Sequence, residues 1–356
     1  MKQIISQFIP QESIGEIQPF GNGHINDTYA VTDTQGVRRW ILQRVNHHVF
    51  PRIEVLQRNV AIVSETMRKR LEQEGETDIE RKYLHFYPLL NSPEKNYYYD
   101  GESYWRVCRF IPESMSMSEL TPEAARFAGE AFGRFEEMLS GIPEGVLGDT
   151  IVDFHSMPFR LRQLKEAVEK DPVGRVAKVQ DILEEIEKRA DKMLIQERLH
   201  EEGKLPKRTI HCDTKVDNVL FDKSGCVLCV VDWDTVMPGY ILSDVGDFIR
   251  TGVNLAPEDE PDLSKIGVNM AIYKAFVEGY LSTAGKFLNP TERSLIAYGG
   301  RLMTYMQTVR FLADYIDGDK YFKVHHPEHN LQRTRAQLRY LQCLEEYAEE
   351  MEALLK

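Results

Sequence analysis

The feature that most constrains this chain is a short series of polar residues followed by an apolar run. The spacing His-x-Asp-x-Lys-x-x-Asn is formed by His211, Asp213, Lys215 and Asn218. Residues 226–231 are apolar and rich in valine, which predicts a buried strand that leads into Asp232. Residues 218–221 are its expected hairpin partner, with 222–225 as the turn. The sequence therefore predicts a loop, a hairpin and a carboxylate at the end of the second strand.

These residue types at these spacings are typical of phosphoryl transfer. Asp213 is the predicted base, an ionised carboxylate that accepts the proton of an attacking hydroxyl. Lys215 would place a positive charge beside the transferred phosphoryl group. The oxygens of Asn218 and Asp232 are hard ligands of the kind that Mg²⁺ prefers. We therefore expect a phosphotransferase that uses ATP and Mg²⁺, with His211 bracing the loop.

The pattern resembles the aminoglycoside phosphotransferase-like kinases and, among them, the N-acetylhexosamine 1-kinases. The resemblance runs over nearly the whole chain and is carried by residues 21–29, 40–46, 231–239, 244–247, 310–315, 321–322 and 327–331. It implies an α+β, two-lobed protein-kinase-like fold with a small N-terminal β-sheet lobe and a large, mainly helical C-terminal lobe. It also implies transfer of the ATP γ-phosphate to the anomeric hydroxyl of N-acetylglucosamine or N-acetylgalactosamine.

The expected domain boundary follows residue 110, between a nucleotide-binding lobe (1–110) and a catalytic and substrate-binding lobe (111–356). Strands are predicted near residues 17–20, 28–32, 39–45, 96–99 and 104–110, and a helix over 54–74. Helices of the large lobe are predicted near residues 121–140, 158–170, 176–200, 267–284, 291–315 and 331–354.

The nucleotide is expected to contact three parts of the small lobe. Gly21, Asn22 and Gly23 lie between the first two predicted strands, where backbone N–H groups can approach phosphates. Taken alone, this triplet would also suit an ordinary hairpin turn. Backbone groups from Arg109 to Ile111 are expected to pair with adenine.

Gln43 occupies the position in the third strand where many members of the family have a lysine. Arg44 follows it and should point to the opposite face of the sheet. The phosphates are then bound either by Gln43 itself or by another cation that replaces the lysine. The N-acetylhexosamine kinases are similar in having glutamine here, so this departure does not imply an inactive enzyme.

Residues that contact the acceptor are implied only by the resemblance. His24, Arg310 and Tyr321 fall on positions similar to sugar contacts, alongside Asp213. Each has a structural alternative: His24 stabilises its glycine turn, Arg310 pairs with Asp314, or Tyr321 packs in the core.

Composition excludes several classes of function. The net charge of −12 disfavours nucleic acids and anionic membranes as partners. No apolar run has the length of a membrane span. The five cysteines are an odd number without a disulfide framework, so we expect a cytoplasmic protein. We interpret Cys226 and Cys229 as core residues, and residues 325–329, which include three histidines, as a structural or surface loop.

Three other functions remain open at this level. Residues 230–235 also resemble the Asp-x-Asp-x-Thr motif of phosphohydrolases, in which Asp232 would be the nucleophile. Gln43 would suit a nucleotide-binding regulator without turnover. A kinase of the same fold that acts on an aminoglycoside, choline, homoserine or another sugar is the main alternative, because a fold does not determine a substrate.

Overall fold

The structure is a computed structural model that describes residues 1–21, 25–117 and 119–356. The predicted nucleotide contacts Asn22 and Gly23 and the predicted sugar contact His24 lie outside these ranges. The chain divides into two compact units, each built from three stretches. Unit 1 comprises Met1–Ser118, Arg134–Val152 and Asp217–Pro238, and unit 2 comprises Glu119–Gly133, Asp153–Val216 and Gly239–Lys356.

Unit 1 contains the antiparallel sheet that the sequence predicts. Its strands are β1 Ile14–Pro19, β2 Asp27–Asp33, β3 Arg38–Val45, β4 Tyr98–Tyr99 and β5 Tyr104–Arg109, in the order β1-β2-β3-β5-β4. Alternation along the strands sends one set of side chains into the core, because successive residues face opposite sides of a sheet. Val31, Leu42 and Val107 are fully buried and pack with Ile5 of the short helix α1 (Lys2–Ile5).

Helix α2 (Ile53–Gln73) follows the sheet and agrees with the predicted helix to within one residue at each end. Its buried face is mostly aliphatic and includes Leu56, Val60 and Val63. The helix buries no carboxylate: its buried polar residues are Gln57, Asn59 and Ser64. It therefore differs from a kinase-like helix that pairs a glutamate with a lysine of the third strand.

The predicted hairpin is present as β7 (Val219–Phe221) and β8 (Val227–Val230). Asp222 shapes the turn, since its carboxylate accepts the backbone N–H groups of Ser224 and Cys226 at 2.8 and 3.0 Å. The interpretation of both cysteines as core residues is half wrong. Cys229 is buried, whereas Cys226 precedes the strand and is exposed.

Unit 2 is mainly helical. Helix α3 (Pro122–Leu139) begins in this unit, and the Oγ1 atom of Thr121 caps it by accepting the N–H of Ala124 at 3.2 Å. The remaining helices are α4 Met157–Lys170, α5 Gln180–Ala190, α6 Ile195–Glu201, α7 Ile241–Gly252, α8 Met270–Ala284, α9 Pro290–Ser294, α10 Ile296–Asp317, α11 His329–Glu346 and α12 Ala348–Ala353. Two further short strands are β6 Arg208–Ile210 in unit 2 and β9 Met237–Gly239, whose first two residues belong to unit 1.

The helix predictions for this region were right in type and incomplete in detail. Helix α7 was missed although Ile241, Val245, Phe248 and Ile249 recur at helical spacing and the helix is buried over nearly its whole length. The predicted helix over 176–200 is divided into α5 and α6 with short 3-10 turns before each. The predicted helices over 291–315 and 331–354 are each interrupted, near Leu295 and Tyr347. Helices α4, α7 and α11 all pack on α10, which makes α10 the central helix of the unit. No helix in the described ranges is long and apolar enough to span a membrane.

Candidate functional site

The loop that carries the predicted base follows β6 and is held by a single buried carboxylate. The backbone N–H groups of His211 and Cys212 donate to Asp244 at 2.6 and 2.7 Å, and the hydroxyl of Thr214 donates to the Asp244 carbonyl. Cys212 has a φ of 64°, in the left-handed region that costs a non-glycine residue free energy. Asp244 lies on α7, so a buried helix fixes the shape of this loop.

Asp213 and Lys215 face one another on this loop. Their side chains form an ion pair of 3.0 Å and are about 30% and 44% exposed, respectively. His211 is fully buried, and its ring meets Phe132 edge-on. The loop therefore presents Asp213 and Lys215 outward while His211 packs beneath it.

The predicted metal ligands lie in unit 1, at the open end of the β7–β8 hairpin. Val219 pairs with Val230, and the N–H of Val231 donates to the Asn218 carbonyl at 2.9 Å. The register thus brings Asn218 beside the residue that precedes Asp232. Asp232 has a φ of 62° and begins the short 3-10 turn Trp233–Thr235.

These two side chains fit Mg²⁺ in their chemistry, because both offer a hard oxygen. Within the described ranges, no group of three or more His, Cys, Asp or Glu residues is arranged to hold a metal ion. A magnesium ion here would therefore take most of its ligands from water and from the phosphates, as is common for this metal.

Gln43 does not extend freely from the third strand. Its amide oxygen accepts Nε of Arg106 at 2.9 Å, and its amide nitrogen donates to Thr28 at 3.2 Å. Arg44 points to the other face, as predicted, and pairs there with exposed Asp27.

The remaining predicted nucleotide contacts also lie in unit 1. Gly21 has a φ of 74° and lies two residues after Pro19, the last residue of β1. The N–H of Arg109 donates to the carbonyl of His85 at 2.9 Å, and the carbonyl of Ile111 accepts the Ser114 hydroxyl at 2.7 Å.

Two predicted acceptor contacts come together in unit 2. The guanidinium of Arg310 lies 5.8 Å from the ring centre of Tyr321 and 5.4 Å from that of Phe322. They line a cleft of about 270 Å³. Tyr321 is 66% exposed, which rules out the alternative that it packs in the core.

The alternative pairing of Arg310 with Asp314 is also wrong, because Asp314 is already engaged. Its carboxylate accepts the backbone N–H groups of Lys320, Tyr321 and Phe322 at 2.8–3.0 Å. The same carboxylate accepts the side-chain amide of Asn330 at 2.9 Å. Asp314 therefore holds the segment that carries Tyr321 rather than neutralising Arg310.

Arg160 of α4 lines the same cleft and was not predicted. Among the described residues, neither Arg160 nor Arg310 forms an ion pair with a carboxylate; they bind the amides of Gln163 and Gln307 instead. Burial, together with the charge of Arg310, lowers the pKa of Arg160 to about 10. Burial also lowers the pKa of Arg310. The cleft therefore presents two guanidiniums that favour electron-rich oxygens, in addition to Lys170 and Lys320 of its lining.

His155 is a second residue that the sequence did not indicate, since it belongs to no motif. Its ring stacks on Phe154 at 4.4 Å, and Arg310 lies over the other aromatic ring of that pair at 5.5 Å. Burial lowers the pKa of His155 to about 3; nearby Asp247 opposes the shift, while Arg310 and Arg160 add to it. The imidazole is therefore neutral near pH 7.

We predict that His155 makes the protein more sensitive to acid. The unfolded chain takes up a proton at His155 as the pH falls through about 6.5, while the folded chain resists until about pH 3. The free energy of unfolding therefore has its full value above pH 6.5 and decreases as the pH falls towards 3. The free energy of unfolding is measured with urea between pH 6 and 4. It should fall by up to about 1.4 kcal/mol more per pH unit in wild type than in His155→Gln.

The control for this experiment is His326→Gln, which removes an exposed histidine of the same unit. Its stability should follow that of wild type over the whole range. Parallel pH profiles for His155→Gln and wild type would contradict the prediction.

Comparison with known proteins identifies the family and the fold. A family model described as the phosphotransferase enzyme family matches residues 16–285. The fold is similar to that of an aminoglycoside phosphotransferase from Alicyclobacillus acidocaldarius, at 14% identity and a TM-score of 0.66, over 99% of this chain and 96% of the other.

Two further solved structures are similar. A microcompartment-associated aminopropanol kinase has 16% identity and a TM-score of 0.59, with 100% and 98% of the two chains covered. Spectinomycin phosphotransferase in complex with ADP and spectinomycin has 13% identity and a TM-score of 0.55, with 93% and 94% covered. The family model covers about three quarters of the sequence and the kinase-like fold covers nearly all of it, so this chain belongs to the phosphotransferase enzyme family.

Proposed function

We propose that this phosphotransferase is an N-acetylhexosamine 1-kinase. It would transfer the γ-phosphate of ATP to the anomeric hydroxyl of N-acetylglucosamine or N-acetylgalactosamine. The family assignment supports phosphoryl transfer to a small molecule, and a similar structure holds ADP together with its acceptor. The choice of acceptor rests on the cleft in unit 2.

The observation that carries the proposal is the charge of this cleft. Arg160 and Arg310 face it without a carboxylate partner among the described residues. The other carboxylates of the lining are used elsewhere: Glu166 pairs with Lys170, and Asp317 with Lys320. The lining has four cationic side chains against three carboxylates, and neither guanidinium forms a direct ion pair, so charge repulsion in the cleft disfavours an amine-bearing acceptor. A neutral sugar avoids this repulsion.

The cleft also has the side chains that bind sugars. Arginine N–H groups donate to hydroxyl and acetamide oxygens, and the aromatic rings of Tyr321 and Phe322 can cover the apolar face of a pyranose ring. Tyr321 is exposed and its backbone is held by Asp314, so its ring is available at a fixed position. These features support a neutral polyhydroxylated acceptor.

The proposed reaction assigns a task to each residue of the predicted site. Asp213 accepts the proton of the anomeric hydroxyl. The oxygen of that hydroxyl then attacks the γ-phosphorus, while the bond between the γ-phosphorus and ADP breaks. Lys215 adds positive charge beside the transferred group. Asn218 and Asp232 would hold Mg²⁺, which supplies charge neutralisation at the phosphates.

The phosphohydrolase alternative is disfavoured by the hairpin. A nucleophilic aspartate of that kind follows a strand of a parallel, doubly wound sheet. Here β8 pairs only with β7 in a two-stranded antiparallel sheet, within the described part of the chain. Asp234, the second aspartate of the motif, is buried in an ion pair with Arg106.

We predict that the enzyme discriminates N-acetylglucosamine from glucosamine. The two sugars have the same ring, but N-acetylglucosamine has a neutral acetamide where glucosamine has a charged ammonium. The pair therefore tests the charge of the cleft directly. ADP release with N-acetylglucosamine should have a kcat/KM at least about tenfold higher, equal to about 1.4 kcal/mol. Arg310→Gln should raise KM for N-acetylglucosamine and narrow this ratio, while KM for ATP stays near wild type.

Arg335→Gln is the matched control, since it removes an exposed arginine of the same unit. Both kinetic constants should remain near wild type in that variant. A wild-type enzyme that prefers glucosamine or an aminoglycoside would contradict the proposal, although it would leave the phosphotransfer chemistry intact.

We also predict that Asp213→Asn removes the base without removing the nucleotide site. Turnover should fall by about a hundredfold or more, which is the usual contribution of a general base. The affinity for ATP, measured by isothermal titration calorimetry, should stay within about threefold of wild type. Asp217→Asn changes an exposed aspartate four residues away and should leave turnover nearly unchanged. Near-wild-type turnover in Asp213→Asn would contradict the assignment of the base.

A further inference from the structure

A buried cation stands directly beside Gln43. Arg106 on β5 is the register partner of Gln43 on β3, and its Nε atom donates to the Gln43 amide oxygen at 2.9 Å. Arg106 is only 2% exposed, and its guanidinium lies 5.2 Å from the ring centre of Phe86. Gln43 replaces the lysine that many family members have at this position of β3. A positive charge is instead present on the neighbouring strand β5, at Arg106.

The partner of this cation is the carboxylate of Asp234. Nη2 of Arg106 lies 2.5 Å from Oδ1 of Asp234, and the two side chains are 2% and 3% exposed. The other oxygen of Asp234 accepts the side-chain amide of Asn26 at 2.6 Å. Asn26 in turn accepts the N–H of Asn46 at 2.9 Å. The buried ion pair thus belongs to a partly buried network that joins β3, β5 and the segment after β8.

A buried ion pair contributes little net folding stability. Removing two charges from water costs several kcal/mol each, and apolar residues of similar volume are often at least as stabilising. A buried pair does restrict geometry, because both charges must keep their partners. The backbone segment that the ion pair holds in place therefore indicates the role of the pair.

That segment is the turn that starts at Asp232. Asp234 is the central residue of the 3-10 turn Trp233–Thr235. The indole of Trp233 donates to the Val230 carbonyl at 2.8 Å, and the amide of Asn59 donates to the Val236 carbonyl at 3.0 Å. The turn is thus fixed before, at and after Asp234, while Asp232 itself is exposed with a left-handed backbone.

We propose that Arg106 is a positioning residue that acts through Asp234 to orient Asp232 toward the metal–nucleotide. Arg106 with Asp234 takes the structural place of the lysine–glutamate pair, and Gln43 links the cation to the third strand. This proposal rests on the proposed role of Asp232 and is independent of which acceptor the enzyme uses.

One further atom is consistent with a role in the site rather than in packing. Nη1 of Arg106 is buried and has no hydrogen-bond partner among the described residues. This donor is additional to the two nitrogens that face Gln43 and Asp234. The guanidinium therefore has capacity for one more acceptor.

The test compares Arg106→Gln, Asp234→Asn and the double variant in the full-length protein. The probe is a fluorescent ATP analogue, titrated with Mg²⁺ present and with the metal removed by EDTA. No acceptor is added, so an error in the acceptor class does not affect the result. Thermal unfolding by circular dichroism is recorded for each variant.

Positioning predicts that all three variants lose Mg²⁺-dependent affinity by about tenfold or more, the usual cost of losing a residue that orients a metal ligand. Affinity in EDTA should stay within about threefold of wild type. The double variant should be no worse than either single variant, because both remove the same interaction. The double variant leaves no unpaired charge in the core, because both charges are removed. If a single variant does not fold, the double variant is compared with wild type.

Arg44→Gln is the matched control, since Arg44 is adjacent to Gln43, lies on the other face of the strand and is 50% exposed. It should bind like wild type in both conditions. If Arg106→Gln weakens binding in EDTA and Asp234→Asn does not, Arg106 contacts the phosphates directly and the positioning role is refuted. Unchanged binding in the double variant would also refute it. A wild-type protein that binds no nucleotide would refute the proposed function itself.

Discussion

Buried carboxylates that hold irregular backbone are the interaction on which the rest of this structure depends. Asp244 binds two N–H groups of the loop that carries Asp213, and Asp314 binds three N–H groups of the segment that carries Tyr321. Asp234 fixes the turn after β8 through Arg106. Loops rarely keep one shape by themselves, because ordering them costs conformational entropy. Charge-assisted hydrogen bonds from rigid helices and strands offset that cost.

The chemistry is divided between the two units of the chain. Unit 1 contains the predicted nucleotide and metal contacts in the described ranges, such as Gln43 and Asp232, whereas unit 2 contains the predicted base and the cationic cleft. This division explains how one family can serve many acceptors: the nucleotide unit can be kept while the cleft changes its charge and shape. In this chain the cleft is lined by Arg160 and Arg310, and the proposal of a neutral acceptor rests on these two residues.

The sequence predicted the parts of the fold that depend on local pattern. The five strands, helix α2 and the β7–β8 hairpin follow from alternation, helical spacing and turn residues. Helix α7 could also have been predicted in this way, because Ile241, Val245 and Phe248 recur at helical spacing, but it was overlooked. Arg106 and Arg160 were also missed: each gains its meaning from residues distant in sequence, and no local motif marks a long-range pair. For the same reason, the hydrogen bonds from the loop of Asp213 to the carboxylate of Asp244 were not predicted.

The measurement that tests the central claim most directly is phosphorus NMR of the product formed from ATP, Mg²⁺ and N-acetylglucosamine. The account predicts a new sugar phosphate whose phosphorus couples to the anomeric proton and which is cleaved by mild acid, together with an equal amount of ADP. A product phosphorylated at another hydroxyl would contradict the anomeric assignment. Inorganic phosphate alone would contradict transfer to this acceptor.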